Sequence, residues 1–309
     1  MSVTREASKK NNKLKDYLQL VKPSLNIMVV FSSVISYLLA PNIRFDWLDI
    51  TLLFIGGFLV VGSANTINQV VERDTDAMMK RTASRPVAAG RMSVSEGWAF
   101  AVVTGAIGVF ILGYFFNLLS AGLALFSLFL YAFIYTPLKK VNAISVFVGA
   151  FPGALPCLIG WTAGTGLFAP FDQLVVNGKE FSNVGGWVLF LLQFLWQFPH
   201  FWAIAWVAHK DYSAAGFKLL PSEKGPTKFT ALQTIIYSLL LIPVCVLPYF
   251  IGMSGLTSLV IATLANLFLV FQCVRLYREN DAKAARRVMF SSYIYLPIVL
   301  LALLSDKIY

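Results

Sequence analysis

Stretches of about twenty apolar residues recur along almost the whole of this chain, and they constrain its fold more than any other feature. A helix needs roughly 20 such residues to cross about 30 Å of hydrocarbon. With 58% hydrophobic residues, 13% charged residues and a mean hydropathy of +0.71, the chain has too little polar surface for a water-soluble domain. We therefore predict an all-α, polytopic membrane protein with nine transmembrane helices. The predicted spans are residues 24–41, 49–70, 97–116, 118–137, 142–162, 187–208, 230–251, 254–275 and 288–305.

The positions of the basic residues support this count, because Lys and Arg accumulate in cytoplasmic loops. With the N-terminus inside, 22 of the 25 Lys and Arg residues fall in inner segments, and only Arg44, Lys179 and Lys307 fall outside. A count of eight is the alternative, since the third and fourth spans abut at Asn117. The net charge of +10 is then mostly a sign of topology, and nucleic-acid binding is not needed to explain it.

The predicted topology divides the chain into three parts. These are a basic cytoplasmic segment (residues 1–23), a single transmembrane domain (24–305) and an external C-terminal tail (306–309). The first fifteen residues lack the short apolar core and cleavage site of a signal peptide. We predict a multi-pass protein of a bacterial plasma membrane whose N-terminus is cytoplasmic.

An acidic helix end interrupts the apolar pattern at the inner end of the second span. Asn68, Glu72 and Asp76 are spaced four residues apart, so on a helix they share one face with a drift of about 40° per step. Two carboxylates about 6 Å apart repel by roughly 3 kcal/mol at an effective dielectric near 20, which favours a divalent cation between them. Oxygen ligands suit Mg²⁺, which usually shares its coordination sphere with phosphate. A solvated helix terminus of mixed charge is the alternative interpretation. The cations that would meet such a phosphate are Lys80, Arg81, Arg85 and Arg91.

Two further groups of polar residues lie in or near the membrane, where such residues are costly and point to function. Tyr135 and Lys139 close the fourth span one turn apart, although an aromatic belt followed by cytoplasmic lysines would look the same. His200 lies within the sixth span, and a hydrogen-bonded core histidine is the alternative to a ligand. The other candidates lie in the sixth span or just after it, and they are Trp196, Trp202, Lys210, Asp211 and Tyr212.

Taken together, these groups resemble the UbiA-type intramembrane prenyltransferases, and within them the members that farnesylate haem. The likeness covers nearly the whole chain. NQVVERDTDAMMKRTASRP (68–86) resembles the first acidic motif of this family and the basic residues that follow it. YTPLK (135–139) is similar to an element of the family that contacts diphosphate. WQFPHFWAIAWVAHKDYSAAGFKLLP (196–221) resembles the second acidic region. Two positions depart from the family: Ser24 stands where Arg is common, and Asp211 is the one obvious acid where many relatives have two.

The resemblance implies a helical bundle around a central cavity that opens to the cytoplasmic side, and a Mg²⁺-dependent ionisation of farnesyl diphosphate. A vinyl group of haem b would capture the allylic cation, and water would complete the product, haem O. Membrane lipid and haem A synthase are the further partners that it implies. The implied catalytic and metal-binding residues are Asn68, Glu72, Asp76, Arg81, Arg85 and Asp211. The implied diphosphate ligands are Lys80, Arg81, Arg85, Tyr135 and Lys139. The implied haem contacts are His200, Trp196 and Trp202, and the second motif contributes Lys210, Asp211 and Tyr212.

Two other functions share parts of this pattern. A prenyltransferase for a quinone precursor would have the same metal and diphosphate residues and would differ only in the acceptor pocket. A cation-coupled transporter could also use membrane-embedded carboxylates. A transporter would need polar residues near the bilayer midplane, whereas the acids of this chain gather at one edge.

Overall fold

The computed structural model describes residues 13–41, 43–176 and 178–308 as a helical bundle with one small hairpin. A π-helical segment, Leu130–Tyr135, joins two of the helices into one span. The α-helices are α1 (Lys13–Val21), α2 (Pro23–Leu39), α3 (Trp47–Val71), α4 (Arg73–Met78), α5 (Val94–Phe115), α6 (Leu118–Phe129), α7 (Thr136–Leu138), α8 (Ser145–Thr165), α9 (Val184–Val207), α10 (His209–Ala214), α11 (Lys228–Phe250), α12 (Leu256–Glu279) and α13 (Ala282–Ser305), and the strands are β1 (Gln173–Val176) and β2 (Lys179–Ser182).

Within the described residues, eight helical segments are long and apolar enough to cross a membrane, and the bent pair α1–α2 makes a ninth. The all-α polytopic fold is therefore confirmed. The alternative that merged the third and fourth spans is wrong, because α5 ends at Phe115 and a new helix begins at Leu118. The Asn117 side chain caps that new helix by accepting a hydrogen bond from the backbone N–H of Ser120 at 2.8 Å.

The N-terminal region is more structured than a basic segment preceding the first span. Residues 13–21 form α1, and the Gln69 side-chain amide donates to its backbone at the carbonyls of Gln19 (3.1 Å) and Leu20 (2.9 Å). Lys22 takes a left-handed conformation with φ 54°, and Pro23 begins α2 at an angle of 43° to α1. Pro is favoured at a first helical position, where its missing N–H has no intrahelical partner. Arg5, Lys9 and Lys10 lie outside the described residues.

Helices α8 and α9 form the centre of the bundle, with two thirds of each span buried inside the protein. Glycine permits the close approach of α8 to α2, because a Cβ at Gly160 would lie 1.8 Å from the backbone oxygen of Ser33. The outer helices instead expose large apolar side chains such as Phe110, Leu264 and Phe268. Such a surface is costly in water and favourable in lipid, as expected of a membrane bundle.

The segment between α8 and α9 contains the two-stranded antiparallel hairpin β1–β2, in which Gln173 pairs with Ser182. The sequence did not predict these strands. The Trp161 indole N–H donates to the Asn183 side-chain oxygen at 2.7 Å and ties the hairpin to α8. Because α8 leads to the hairpin and α9 returns from it, the hairpin lies at the opposite end of the bundle from α10.

Candidate active site

Asn68, Glu72 and Asp76 form a buried polar column where α3 ends. The helix breaks at Glu72 (φ −94°, ψ 12°), and α4 follows, so the three residues are not on one uninterrupted helix. The four-residue spacing nevertheless survives, because the N–H of Glu72 donates to the Asn68 carbonyl at 2.9 Å and that of Asp76 to the Glu72 carbonyl at 2.7 Å. The prediction that these side chains share one side of the backbone agrees with this geometry.

Each carboxylate of the column has a cationic partner that the sequence had placed at the diphosphate. Arg85 Nη1 lies 2.6 Å from both carboxylate oxygens of Asp76, and Lys139 Nζ lies 2.5 Å from Glu72 Oε1. Burial raises the pKa of the Asp76 carboxyl even though Arg85 opposes the shift. Burial likewise lowers the pKa of the Lys139 ammonium against the attraction of Glu72. These four residues form one charged cluster, which we call the ion-pair cluster.

The loop after α4 folds back over the ion-pair cluster. The Thr82 hydroxyl donates to the Asp76 carbonyl at 2.9 Å, and this turn places Arg85 above the carboxylate. Arg91 does not join the cluster as expected, since its guanidinium binds Asp16 at 2.8 Å and the Gln19 side chain at 2.8 Å on α1. The loop passes through turns after Arg85 and delivers Arg91 to α1. Arg91 therefore anchors the loop instead of facing a phosphate.

The second motif meets the first through aromatic and cationic side chains. Arg81 Nη2 donates to the Tyr212 hydroxyl at 3.0 Å, and the guanidinium carbon lies 5.4 Å from the centre of the Tyr212 ring. Lys139 Nζ lies 4.9 Å from the centre of the Tyr135 ring and 5.5 Å from that of Phe217. Cations above aromatic faces are stabilised by the ring quadrupole. The Phe217 ring, whose centre lies 5.8 Å from that of Tyr212, links the two pairs, so Arg81, Tyr135 and Lys139 lie near one another and near Tyr212 of the second motif.

Three predicted residues remain at the margin of this arrangement. Lys80 and Lys210 are exposed, and Asp211 is partly exposed on α10. Among the residues that the structure describes, the Asp211 carboxylate makes no ion pair, and no three His, Cys, Asp or Glu side chains converge closely enough to hold a metal ion. The structure therefore does not bring Asp211 together with Glu72 and Asp76 as a fourth ligand.

The residues of the column fit a Mg²⁺ ion that completes its coordination with substrate oxygens. Glu72 and Asp76 provide carboxylates, and the buried Asn68 side chain has an oxygen for the metal and an Nδ2, unpaired within the described chain, that can donate to a phosphate oxygen. All of these ligand atoms can be oxygens, which is the donor type that Mg²⁺ prefers. Two carboxylates and one amide are too few for a closed protein cage, and Mg²⁺ commonly binds with few protein ligands plus phosphate.

A cavity of about 600 Å³ adjoins the ion-pair cluster and runs into the bundle between α2, α3, α8, α9 and α13. Asn65 and Tyr135 line it, and Tyr135 also contacts Lys139, so the cavity and the charges share a boundary. Most of its wall is apolar, with Leu112, Ile159 and Leu296 among the lining residues. A cavity of this kind suits a long hydrocarbon chain whose charged end lies at the cluster.

A π-helical segment places two tyrosines in this cavity. Leu130–Tyr135 is wound more widely than an α-helix, and Tyr131 and Tyr135 both line the cavity with ring centres 5.2 Å apart. Pro137 follows and cannot donate a hydrogen bond to the preceding turn, which favours an altered winding there. Sequence reasoning missed Tyr131. The proline two residues after the tyrosine-containing turn was the signal that could have indicated it.

The haem-contact candidates divide between two faces of α9. Trp196 and His200, one turn apart, line the cavity. Trp202 does not, because a residue two positions beyond His200 points to the other side of a helix. Its ring packs 5.4 Å from Phe198 and 5.2 Å from Tyr237, centre to centre. This packing corrects the prediction that Trp202 walls the site.

His200 is held by contacts that the sequence did not reveal. Its Nδ1 lies 2.9 Å from Ser292 Oγ on α13, and its ring stacks on Trp196 with centres 4.6 Å apart and planes 20° apart. The Trp196 indole N–H donates to the Ser292 carbonyl at 2.9 Å. Tyr293 completes the surroundings with its ring at 4.9 Å, nearly perpendicular to the imidazole.

Comparison with known proteins agrees with this geometry. Residues 29–294 match the family model of the UbiA prenyltransferase family. A protein of Cytophaga hutchinsonii named protoheme IX farnesyltransferase is 47% identical over 300 residues, covering 95% of this chain and 98% of that protein. A Flavobacterium johnsoniae protein of the same name is 42% identical and covers 94% of each chain.

Two solved structures share the fold at low sequence identity. A structure described as that of digeranylgeranylglyceryl phosphate synthase has a TM-score of 0.76 at 22% identity, covering 96% of this chain and 99% of that one. A UbiA homologue from Archaeoglobus fulgidus bound to GPP and Mg²⁺ has a TM-score of 0.69 at 15% identity and covers 94% of this chain and 99% of its own. Both support the helical architecture described above.

Proposed function

The chain belongs to the UbiA prenyltransferase family, and from that premise we propose that it transfers a farnesyl group from farnesyl diphosphate to a vinyl group of haem b. Water adds in the same reaction, and the products are haem O and diphosphate. The observation that carries this proposal is the sequence identity of 47% and 42%, over nearly the whole chain, to two proteins named protoheme IX farnesyltransferase. The ion-pair cluster at the edge of an apolar cavity supplies the physical means.

The ion-pair cluster is the proposed diphosphate end of the site. Mg²⁺, held by Asn68, Glu72 and Asp76, would neutralise the charge that develops on the leaving diphosphate. Arg85 and Lys139, which now balance the two carboxylates, would turn to diphosphate oxygens when the metal takes over that balance. Exchange of partners keeps the buried charge close to zero throughout, which a low-dielectric site requires. The remaining diphosphate contacts that we propose are Lys80, Arg81 and Tyr135, and the proposed metal site does not include Asp211.

The isoprenoid chain is proposed to lie in the apolar cavity, with its first carbon near Tyr131 and Tyr135. These aromatic faces adjoin the ion-pair cluster and can stabilise positive charge on the allylic carbon as the carbon–oxygen bond breaks. The bonding electrons leave with the diphosphate. The apolar side chains of the wall offer few hydrogen-bonding groups to water, which limits capture of the allylic cation before the acceptor is in place.

Haem b is the proposed acceptor, and Trp196 and His200 are its proposed contacts. The vinyl π electrons form the new carbon–carbon bond, which leaves a cation on the carbon next to the porphyrin. Water adds there as the hydroxyl of the product, and the proton that it releases balances the negative charge that left with the diphosphate. Trp196 offers a flat apolar surface, and His200 offers a nitrogen, at the same stretch of cavity wall.

The chain is a multi-pass membrane protein, and we propose its setting in finer detail from the charge pattern. An excess of Lys and Arg at the ion-pair end of the bundle favours a cytoplasmic location for that end and for the N-terminus. A bacterial plasma membrane, the division at residues 23 and 305, and contact with haem A synthase stay predictions.

The test is a reaction of the purified protein with haem b, farnesyl diphosphate and Mg²⁺, followed by mass spectrometry of the haem. We expect a haem species whose mass has increased by a farnesyl group and a hydroxyl, and no such species without Mg²⁺ or without the diphosphate. A competing reaction with a quinone precursor such as 4-hydroxybenzoate provides the comparison. Farnesylation of that precursor in preference to haem b would overturn the proposal.

A further inference from the structure

The imidazole of His200 presents its two nitrogens to different surroundings. Nδ1 contacts Ser292, which is fully buried and does not line the cavity. Among the described residues, the hydrogen bond of the ring is the one at Nδ1, and the ring itself borders the cavity. Whether Nε2 carries a proton or a free electron pair therefore decides what His200 can offer to a molecule in the cavity.

A single proton on Ser292 settles the choice. Ser292 Oγ lies 2.7 Å from the carbonyl oxygen of Met289 and 2.9 Å from His200 Nδ1. A carbonyl oxygen can only accept, so the 2.7 Å contact is a hydrogen bond only if the serine donates to Met289. The serine oxygen then has no proton left for the histidine, and the second contact is a hydrogen bond only if Nδ1–H donates to it. With the proton on Nδ1, the neutral ring keeps an electron pair on Nε2.

Ser292 also fixes the orientation of the His200 ring. Its carbonyl accepts from the Trp196 indole, and Trp196 lies flat against the imidazole. Tyr293, next to it on α13, meets the ring edge-on. Rotation of the imidazole would break the Nδ1 bond and collide with one of these two rings. Ser292 thus holds both the protonation state and the orientation of His200.

We infer that Ser292 is a positioning residue that keeps His200 as the Nδ1–H tautomer, so that the Nε2 electron pair binds the iron of the porphyrin substrate. This inference rests on the proposed function, because it assumes that haem enters the cavity. Histidines that bind metals typically donate their other N–H to a fixed acceptor, which raises ligand basicity and sets the ring angle. Ser292 is that acceptor here, on a helix far along the chain from His200.

A purely structural role for Ser292 predicts something different. A serine that only satisfied a buried histidine would affect the binding of any porphyrin equally, through the shape of the cavity. A serine that prepares Nε2 for iron affects haem and leaves metal-free protoporphyrin IX unchanged. The difference between these two ligands separates coordination from packing.

The experiment measures the affinities of the purified full-length protein for haem b and for metal-free protoporphyrin IX, together with the absorption spectrum of bound haem. For Ser292→Ala we expect a loss of about tenfold in haem affinity and a shifted Soret band, with protoporphyrin affinity unchanged. Ser292→Thr keeps a hydroxyl and is expected to recover both properties. Ser291→Ala is the matched control, because that hydroxyl donates to the carbonyl of Arg287 within its own helix, at 2.7 Å.

Three outcomes overturn the inference. If His200→Ala loses haem affinity while Ser292→Ala binds haem and absorbs like the wild type, Ser292 does not position the ring, and the proposed function stands. If Ser292→Ala weakens haem and protoporphyrin equally, the serine acts through packing. If the wild type binds neither porphyrin, the proposed function fails as well.

Discussion

Replacing Lys139 by Met tests whether the buried carboxylate of Glu72 depends on its ion pair with Lys139. The change removes the ammonium that lies 2.5 Å from Glu72 Oε1, and both side chains are more than nine-tenths buried. The carboxylate that remains has no other ion-pair partner in the described part of the chain. Removing one partner of a buried pair costs about 3–5 kcal/mol, so we expect the free energy of unfolding to fall by about 3 kcal/mol.

A second substitution separates the lost charge from the lost side chain. Glu72→Gln in the Lys139→Met background removes the uncompensated charge, and we expect the double variant to regain most of the stability. Glu72→Gln alone leaves Lys139 unpaired, but the rings of Tyr135 and Phe217 lie beneath its ammonium, so a smaller loss of about 1–2 kcal/mol is expected. The exposed neighbour gives the control, since Lys140→Met is expected to change stability by less than about 0.5 kcal/mol.

The chain carries its own probe for this measurement. Its cysteines, Cys157, Cys245 and Cys273, are free and buried, so a thiol-reactive dye reports unfolding in detergent. We expect the midpoint of dye labelling on heating to drop by roughly 5 °C or more in Lys139→Met. Added Mg²⁺ is expected to restore part of the loss, because a divalent cation can replace the ammonium beside the carboxylate. A single variant as stable as the wild type, or a double variant no more stable than the single, would refute the reasoning.

Three further predictions concern turnover and binding. Asp76→Asn removes one carboxylate of the metal column, and we expect the rate of haem farnesylation to fall below about a tenth of the wild-type rate, a loss of more than roughly 1.4 kcal/mol in transition-state stabilisation. Arg81→Lys and Arg85→Lys keep the charge but lose the planar fork, so titration is expected to show farnesyl diphosphate binding weakened by about tenfold. His200→Ala is expected to lower haem affinity by about tenfold in an absorption titration and to leave farnesyl diphosphate binding unchanged.

Each of these predictions has its own control and its own contradictory result. Asp74→Asn alters an exposed acid of the same helix and is expected to leave the rate of haem farnesylation unchanged. Equal rates for Asp76→Asn and Asp74→Asn would remove Asp76 from the metal site. Arg73→Lys is the control for Arg81→Lys and Arg85→Lys, and it is expected to leave farnesyl diphosphate binding unchanged. Equal binding by all three variants would remove Arg81 and Arg85 from the diphosphate site. Identical haem titrations for wild type and His200→Ala would return His200 to the role of a core histidine.

Much of the fold could be predicted from the sequence because its causes are local. A run of apolar residues predicts a span wherever it occurs, and each of the nine predicted spans corresponds to an observed helical segment, with ends that differ by at most six residues. The sequence left open whether the third and fourth spans were one, and a single side chain decides this, because Asn117 caps a new helix and separates two spans as the count of nine requires. The π-helical turn before Pro137 was missed because it has no signature in hydropathy.

The candidate site could be predicted in part. Asn68, Glu72 and Asp76 lie together because their spacing matches the helical repeat, which only the local backbone determines. The partners of the two carboxylates could not be assigned, since Lys80, Arg81, Arg85 and Arg91 look alike in sequence. Their roles diverge in the structure: Arg85 binds Asp76, Arg81 reaches Tyr212, Arg91 anchors α1, and Lys80 is exposed.

The sequence by itself determined that this chain spans a membrane many times and that an acidic column stands at one edge of it, because hydrophobic length and helical period act over neighbouring residues. Only the tertiary structure decided that Lys139 pairs with Glu72, that Trp202 turns away from the cavity and that Ser292 holds His200. Those contacts join residues far apart in the chain. They depend on how whole helices pack and rotate against one another, and a local pattern carries no information about that rotation.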